Sequence, residues 1–306
     1  MAATQTLQDP RIFNLPEQEL LRSGHLACPG CGAALGMRLA LKALGPETIV
    51  VIPACCWSIV NGAYPYSALA VPVMQVAFET AAVSAAGVRA ALDMQGRANV
   101  QVLAWAGDGG TFDIGLQSLS GAVERNDDII YVCYDNEAYM NTGIQRSSAT
   151  PPGAWTMTTP AGALKREAKK NIVEILVEHG IPYAATASIA FPDDFVRKLT
   201  RARSIRGTRF IHLYVSCPTG YKCEERHAIK IARLAVESGL FPLYEVEDGY
   251  RYTLNHDPAF VDVKEYLDLQ GRFRYLSQEQ VESIRSNVAW QWRRLRGKAD
   301  LGEGLD

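Results

Sequence analysis

A glycine-rich turn that carries one carboxylate follows a short apolar segment of the chain. The segment, residues 100–106 (VQVLAWA), is typical of a buried strand in a parallel sheet. Gly107, Asp108, Gly109 and Gly110 come directly after it. Glycines let the backbone approach an anionic group such as a phosphate closely. Because Asp108 would repel a phosphate, the turn predicts a cation between the two, and Mg²⁺ is the cation that bridges carboxylate and phosphate oxygens.

A second strand end supplies further oxygen ligands for such a cation. Residues 129–134 form an apolar strand pattern that runs into Asp135, Asn136 and Ala138. The carboxyl ends of parallel strands open into the same crevice, so we expect the Asn136 amide and the Ala138 carbonyl beside Asp108. Phe112 stands where a dinucleotide fingerprint needs its third glycine, and no P-loop lysine follows. The stretch therefore predicts a magnesium diphosphate clamp.

Four of the seven cysteines indicate a second site. Cys28 and Cys31 lie in a C-P-G-C turn before a predicted helix, whose N-terminal dipole is expected to lower the thiol pKa. Cys56 and Cys217 each follow a predicted strand. Such spacing favours metal or redox chemistry over structural disulfides. It leaves open zinc, a [4Fe–4S] cluster or a redox disulfide between Cys28 and Cys31.

The elements that position these residues alternate along the chain. The pattern predicts helices over 33–44, 79–94, 113–125, 169–180, 192–204 and 226–238, and strands over 48–53, 100–106, 129–134, 183–187 and 208–215. This alternation predicts an α/β fold with a doubly wound, mostly parallel sheet. The long loop 136–165 is expected to pack around a ligand. After Leu240 the pattern is irregular, so we expect a domain over 1–240 and an extension over 241–306 that wraps a partner subunit.

Charge and composition exclude several classes of function. The balance of 31 basic and 33 acidic residues gives no reason to expect nucleic acid or a membrane surface as a partner. Residues 1–13 contain no apolar leader segment, so a cytoplasmic protein is expected. A basic cluster near the end is interpreted as a solvated helix face; its members are Arg293, Arg294, Arg296 and Lys298.

Two motifs carry a resemblance to a known family. Gly107-Asp108-Gly109, separated by 26 residues from Asn136, resembles the thiamine diphosphate motif. The stretches DNEAYMNTGIQRSSATP (135–151) and HLACPGCG (25–32) resemble the β subunit of pyruvate-type 2-oxoacid:ferredoxin oxidoreductases, and the likeness extends over about residues 24–245. It implies a thiamine diphosphate-binding fold.

The resemblance also implies roles for individual residues. Asp108, Asn136 and Ala138 are expected to hold Mg²⁺, and Asn141 to lie next to the reactive thiazolium carbon. Further contacts with thiamine diphosphate are expected from Gly107, Gly109, Gly110, Tyr139 and Thr142. A [4Fe–4S] cluster is expected on Cys28, Cys31, Cys56 and Cys217. Cys55 and Cys223 are competing ligands, whereas Cys133 lies in an apolar strand and is interpreted as core.

The implied activity is oxidative decarboxylation of a 2-oxoacid within a hetero-oligomer. Coenzyme A is the expected acyl acceptor, and electrons are expected to pass through the cluster to ferredoxin or another acceptor. A pyrimidine-binding subunit among the α, γ and δ-type partners is expected to supply the activating glutamate, a role in which Glu79 is not favoured, so the isolated chain should be inactive. Leu69, Ala70 and Val73 stand where many pyruvate enzymes are expected to carry bulkier aromatic or basic residues. Smaller side chains there could open the pocket to a branched-chain or aromatic 2-oxoacid, while pyruvate and oxalate stay open.

Two other classes of protein remain as alternatives. A non-oxidative thiamine diphosphate decarboxylase or synthase would use the same clamp but would need no iron. A zinc-stabilised binding subunit would have no chemistry and would leave Asp108 and Asn136 without a purpose.

Overall fold

The described residues, 15–303 of the computed structural model, form one eight-stranded sheet. Its strands are β1 (Thr48–Pro53), β2 (Val73–Val76), β3 (Gln101–Gly107), β4 (Ile130–Asp135), β5 (Tyr183–Ser188), β6 (Arg209–Tyr214), β7 (Tyr244–Glu247) and β8 (Arg251–Leu254). The strand order is β2-β1-β3-β4-β6-β5-β7-β8. Strands β1 to β6 pair in parallel, and β7 and β8 add an antiparallel edge.

Helices cover both faces of the sheet. They are α1 (Gly32–Leu44), α2 (Cys56–Val60), α3 (Ala81–Met94), α4 (Leu116–Glu124), α5 (Ile172–Val177), α6 (Pro192–Ser204), α7 (Pro218–Tyr221), α8 (Ala228–Glu237), α9 (Val263–Leu267) and α10 (Gln278–Glu303). Every residue of β4, β5 and β6 is buried, which is why these segments are mostly apolar and do not alternate apolar with polar residues. Two apolar cores, one on each face, hold the layers together. The predicted doubly wound α/β fold is confirmed.

The chain reverses its winding direction next to β1. From β1 it moves outward to β2, then returns to place β3 on the other side of β1 and β4 beyond it. In open parallel sheets the crevice for a ligand lies outside the carboxyl ends of the strands at such a switch point. The neighbouring strands β1, β3, β4 and β6 end on this edge, and they lead into Cys56, Asp108, Asn136 and Cys217 respectively.

Several predicted elements differ from the observed ones. The helix predicted over 113–125 is instead a π-helical turn, Gly109–Ile114, followed by α4. The turn packs its own backbone so tightly that a β-carbon at Gly115 would lie 2.1 Å from the Gly110 carbonyl oxygen. The helix predicted over 169–180 spans only Ile172–Val177, and Asn171 caps it. Strand β2 was missed because it lies at the edge of the sheet and shows no alternation of burial.

The chain after Leu240 contains more regular structure than its pattern indicates. The hairpin β7–β8 extends the sheet, and α10 packs back onto the same chain, where Leu295 joins a core and the Trp292 indole donates to the Gly239 carbonyl at 2.9 Å. The basic side chains Arg293, Arg294 and Arg296 are exposed, as expected of a solvated face, whereas Lys298 is half-buried and pairs with Glu174. The boundary at residue 240 and the contact with a partner subunit stay predictions.

Within residues 15–303, no helix combines the length and the apolar content needed to cross a bilayer. The expectation for residues 1–13 lies outside the described residues.

Candidate functional site: an oxygen clamp beside a cysteine cluster

Asp108 and Asn136 meet at the carboxyl ends of β3 and β4, as the strand pattern predicts. The two strands pair in register up to Gly107 and Tyr134, so the residues that follow them lie side by side. Asp108 is fully buried and Asn136 is 5% exposed. One atom of the Asn136 amide group lies 3.0 Å from Asp108 Oδ1 and 3.0 Å from the Ala138 carbonyl oxygen.

Whether that amide atom is nitrogen or oxygen decides whether the three groups are joined by hydrogen bonds or form a cation site. If it is nitrogen, it donates two hydrogen bonds and the three groups satisfy one another. If it is oxygen, three oxygens face each other without a proton, and only a cation stabilises that arrangement. In an octahedral shell with bonds of about 2.1 Å, adjacent ligands lie about 3.0 Å apart. The spacing of the three groups therefore fits Mg²⁺; we call Asp108, Asn136 and the Ala138 carbonyl the clamp.

The Asp108 carboxylate is held in place by one hydroxyl. Ser147 Oγ donates to Asp108 Oδ2 at 2.5 Å, a length typical of a charge-assisted hydrogen bond. Burial raises the pKa of Asp108 well above its usual range, and the negative charge of Asp135 raises it further. A cation in the clamp would oppose both effects, because it would stabilise the ionised carboxylate.

The long loop after Asn136 is fastened to the π-helical turn through Asp113. Its carboxylate accepts hydrogen bonds from Tyr139 Oη at 2.6 Å and from the Ser148 backbone N–H at 3.1 Å. The Tyr139 ring lies over Gly109, where a β-carbon would be 2.4 Å from the ring. The Tyr139 ring thus requires glycine at position 109. The bond from Ser148 to Asp113 also fixes the position of the neighbouring Ser147.

The other proposed cofactor contacts lie around this loop. Gly110 is buried against Phe78, from which a β-carbon would be 3.3 Å away. A β-carbon at Gly107 would meet Tyr134 at an ordinary 3.4 Å, so packing does not require glycine there. Asn141 and Thr142 lie in the turn that follows Tyr139; both are exposed, and Thr142 Oγ1 donates to Gln145 Oε1 at 2.6 Å.

Buried charges lie behind the clamp. Asp135 accepts from Lys169 Nζ at 2.6 Å and pairs with His212 Nε2 at 2.7 Å. Although burial opposes it, the charge of Lys169 and the His212 bond hold the pKa of Asp135 well below its usual range. Glu137, 5% exposed, accepts from Lys169 at 2.9 Å and from Arg272 at 2.6 Å.

The sequence pattern did not indicate that Lys169, His212 and Arg272 pair with the carboxylates behind the clamp. Glu137 also adopts a φ of +65°, a conformation that side chains other than glycine rarely take. The sequence DNE (135–137) at the end of an apolar strand was the available signal for buried cations nearby, because buried carboxylates need cationic partners.

Cys31 and Cys217 are brought together by a glycine. Gly32 begins α1, and its N–H donates to the Ser216 carbonyl at 3.1 Å. A β-carbon at Gly32 would lie 2.8 Å from that oxygen, so only glycine permits the contact. Burial raises the pKa of the Cys31 thiol, although the N–H groups of Ala33 and Ala34 act to lower it. The predicted lowering is therefore wrong for this thiol, since burial outweighs the end of the helix.

Adjacent cysteines Cys55 and Cys56 have different surroundings. Burial raises the pKa of both thiols. Cys55 is hydrogen-bonded to the Tyr134 hydroxyl and to backbone N–H groups. The charges that act on Cys56 come from other cysteines, namely Cys55, Cys217, Cys31 and Cys28. The structure thus places Cys56, rather than Cys55, in the company of the other three proposed ligands; we call Cys28, Cys31, Cys56 and Cys217 the cysteine cluster.

The two remaining cysteines lie apart from this group. Cys133 is fully buried within β4, as predicted for a core residue. Burial raises the pKa of Cys223, and the charges acting on it are those of Arg272 and Glu225. Within residues 15–303, no group of three or more His, Cys, Asp or Glu side chains is close enough to hold a single metal ion.

The clamp and the cysteine cluster adjoin. The Gly220 N–H in α7 points to Cys217 Sγ at 3.5 Å. Met140, two residues after Ala138, packs its thioether on Gly220, where a β-carbon would be 2.4 Å from the sulfur. A single side chain therefore separates the loop of the clamp from the loop of Cys217.

The residues considered for substrate choice are part of the core. Leu69 is 2% exposed, and Ala70 and Val73 pack against the same core. Core packing explains the sizes of these side chains.

Known proteins are similar to this chain along most of its length. Residues 62–213 match the model of the C-terminal thiamine pyrophosphate-binding domain of thiamine pyrophosphate enzymes. The chain is 49% identical to the ketoisovalerate oxidoreductase subunit VorB of Pyrococcus furiosus over an alignment of 298 residues that covers 94% of this chain and 96% of that one. It is 50% identical to the pyruvate synthase subunit PorB of Methanothermobacter marburgensis over an alignment of 279 residues that covers 90% of this chain and 97% of that one.

A solved structure has the same fold. It is the 2-oxoglutarate:ferredoxin oxidoreductase from Magnetococcus marinus with 2-oxoglutarate, coenzyme A and succinyl-CoA bound. The TM-score is 0.60 at 19% identity, and the match covers 89% of this chain and 97% of that chain.

Proposed function

Because the chain belongs to the family of VorB and PorB subunits, the β subunits of 2-oxoacid:ferredoxin oxidoreductases, we propose that it binds thiamine diphosphate through Mg²⁺ and a [4Fe–4S] cluster through four cysteines. With its partner subunits it carries out oxidative decarboxylation of a 2-oxoacid, with coenzyme A as acyl acceptor. Ferredoxin or another acceptor takes the electrons.

The observation that carries the magnesium proposal is the 3.0 Å spacing of the Asn136 amide from Asp108 Oδ1 and from the Ala138 carbonyl oxygen. Asp108 would supply the charge, and the Asn136 amide oxygen and the Ala138 carbonyl would be the other two protein ligands. Ser147 keeps the carboxylate oriented by its hydrogen bond. The diphosphate would complete the shell, since Mg²⁺ in such sites is shared between carboxylates and phosphate oxygens.

The proposed cluster rests on the environment of Cys56. Its thiol interacts electrostatically with Cys217, Cys31 and Cys28, and thiolates gathered in one place would repel one another unless a positive group lay between them. Iron in a [4Fe–4S] cluster is such a group, and four cysteines are its usual ligands. The N–H groups of Ala33 and Ala34 at Cys31 and of Gly220 at Cys217 would offset sulfur charge.

The position of the two sites suits electron transfer. When bound, thiamine diphosphate supplies the carbanion chemistry that cleaves the carboxylate from a 2-oxoacid, and the cluster supplies a one-electron acceptor. Met140 and Gly220 keep the two loops in contact, so electrons have a short path. Asn141, exposed beside this contact, is proposed to position the reacting group.

The experiment is a turnover assay on the complex assembled with its partner subunits. Coenzyme A-dependent reduction of a low-potential dye is measured with pyruvate and with 2-oxo-3-methylbutanoate, because relatives named for pyruvate and for ketoisovalerate are similar to this chain to nearly the same extent. We expect activity with at least one of the two acids, its loss in Asp108→Asn, and none with the chain alone. Turnover by the isolated chain, or turnover unaffected by Asp108→Asn, would contradict the proposal.

A further inference from the structure

We propose that Arg272 is a positioning residue that couples the clamp to the cysteine cluster, and that its buried charge stabilises the reduced form of the iron–sulfur cluster proposed above. The inference rests on the proposed function for the presence of that cluster. It assigns to the C-terminal extension a part in the site, through a residue 135 positions away from its partner Glu137.

Arg272 is one of the most deeply buried cations of the described chain, with 2% of its surface exposed. Its Nη2 group donates to Glu137 Oε2 at 2.6 Å and to Tyr266 Oη at 3.0 Å, and its Nε group donates to Gln270 Oε1 at 3.0 Å. An arginine held by several hydrogen bonds in one plane has a fixed direction, which a lysine does not reproduce. The guanidinium is therefore a rigid connection and not a mobile surface charge.

One end of this connection is the clamp. Glu137 stands between Asn136 and the Ala138 carbonyl, and its φ of +65° turns the backbone between those two groups. That conformation is unfavourable for residues other than glycine and persists only where the surrounding contacts offset it. Arg272 and Lys169 hold the side chain, while Thr150 Oγ1 donates to the Glu137 carbonyl at 2.6 Å. Loss of Arg272 would release the turn that presents two of the three clamp groups.

The other end is the loop of Cys217. The Arg272 guanidinium lies 3.5 Å from the centre of the Tyr221 ring, and the Tyr221 N–H donates to the Cys217 carbonyl at 2.8 Å. Tyr221 ends the same short helix whose Gly220 N–H points to Cys217 Sγ at 3.5 Å. The cation that pairs with Glu137 therefore packs on the turn that presents the Cys217 thiol.

Backbone hydrogen bonds fix the turn that carries Arg272 to the loop of the clamp at Trp155 and to the end of α7 at Lys222. This 3₁₀ turn, Gly271–Phe273, receives a hydrogen bond at the Arg272 carbonyl from the Trp155 N–H at 2.8 Å. The Gly271 N–H donates to the Lys222 carbonyl at 3.1 Å, directly after α7. Backbone bonds on both sides mean that the position of Arg272 follows both segments, which is the physical condition for coupling between them.

The consequence for redox chemistry has a definite sign. Reduction adds one negative charge to the cluster, and a buried positive charge nearby stabilises the product. Removal of the Arg272 charge should therefore shift the midpoint potential of the cluster to more negative values. Neutralisation of Glu137, whose charge partly cancels that of Arg272, should shift it in the opposite direction.

The test uses the assembled complex purified without oxygen. The midpoint potential of the cluster nearest the thiamine site is measured by redox titration with electron paramagnetic resonance, and the affinity for thiamine diphosphate is measured at saturating Mg²⁺. For Arg272→Gln we expect a negative shift of the potential and an affinity about tenfold weaker, the loss of one charged hydrogen bond. For Arg272→Lys we expect the potential to stay near that of the parent protein while the affinity still falls.

Glu137→Gln provides an arm of opposite sign. We expect a positive shift of the potential. Glu137→Gln and Arg272→Lys, as two separate variants, still test the inference if Arg272→Gln does not assemble. An unchanged potential in Glu137→Gln, or in an assembled Arg272→Gln, in a complex that contains the cluster, would overturn the inference and leave Arg272 with a role in stability alone. A parent complex without a cluster would instead contradict the proposed function.

Discussion

The hydrogen bond from Ser147 to Asp108 gives the sharpest test of the clamp. Ser147→Ala removes the one hydroxyl that lies 2.5 Å from a fully buried carboxylate. Hydrogen bonds to charged groups contribute about 1.5–3 kcal/mol. A loss of this size corresponds to an affinity for Mg²⁺ that is weaker by about 10-fold to 150-fold, because about 1.4 kcal/mol is a factor of ten.

The neighbouring residue provides a matched control. Ser148→Ala removes the same atom from the same loop, but Ser148 bonds Asp113 and not Asp108. Titration calorimetry of the assembled complex with Mg²⁺, at saturating thiamine diphosphate, measures the affinity for each variant. We expect Ser147→Ala to weaken Mg²⁺ binding and Ser148→Ala to leave it within about threefold of the parent, since about 0.6 kcal/mol is a threefold change. Equal effects of the two substitutions would refute the assignment of Asp108 as the ligand that Ser147 orients.

Three further predictions concern the cysteines, the glycine turn and a buried lysine. Cys56→Ala should abolish iron binding while Cys55→Ala retains it, because only Cys56 is surrounded by the other proposed ligands; iron analysis of both variants checks this, and retention of iron by Cys56→Ala would contradict it. Gly109→Ala should destabilise the protein by about 1–3 kcal/mol, the usual effect of overpacking, since the new methyl would meet the Tyr139 ring. Gly87→Ala, in α3 with no atom near its β-carbon, is the control and should stabilise by about 0.5–1 kcal/mol; thermal unfolding of the two variants compares them. Burial lowers the pKa of Lys198 from 10.5 to about 8 in spite of its pairing with Asp194, so the unfolded chain binds more protons between these values and the free energy of unfolding should rise from about pH 8 to pH 10.5. Lys198→Met should flatten that rise in denaturant titrations, and an unchanged profile would contradict the assigned pKa.

The placement of the clamp could be predicted because it depends on rules that act locally. Apolar runs identified β3 and β4, and parallel strands end on one edge, so Asp108 and Asn136 had to meet. Glycine at position 109 was predicted because it lets the backbone approach a phosphate, and the structure shows a different reason. Gly109 is required by the Tyr139 ring, a contact across the loop that the spacing of residues does not reveal.

The surroundings of the clamp could not be predicted in the same way. Arg272 reaches Glu137 across 135 positions of sequence, and nothing in its neighbours marks it among the other basic residues. The choice between Cys55 and Cys56 depends on the first turn of α2, which directs adjacent side chains to different surroundings. Both features follow from tertiary packing, which local patterns do not encode.

The cofactor content of this chain, in the complex purified without oxygen, tests the proposed function. Iron, acid-labile sulfide, zinc and bound thiamine diphosphate are determined for the parent protein, for Cys217→Ala and for Asp108→Asn. We expect Cys217→Ala to lower iron and sulfide by about four each per chain, the content of one [4Fe–4S] cluster, and Asp108→Asn to remove thiamine diphosphate without loss of iron. Zinc in place of iron, or iron content unchanged by Cys217→Ala, would contradict the proposed function.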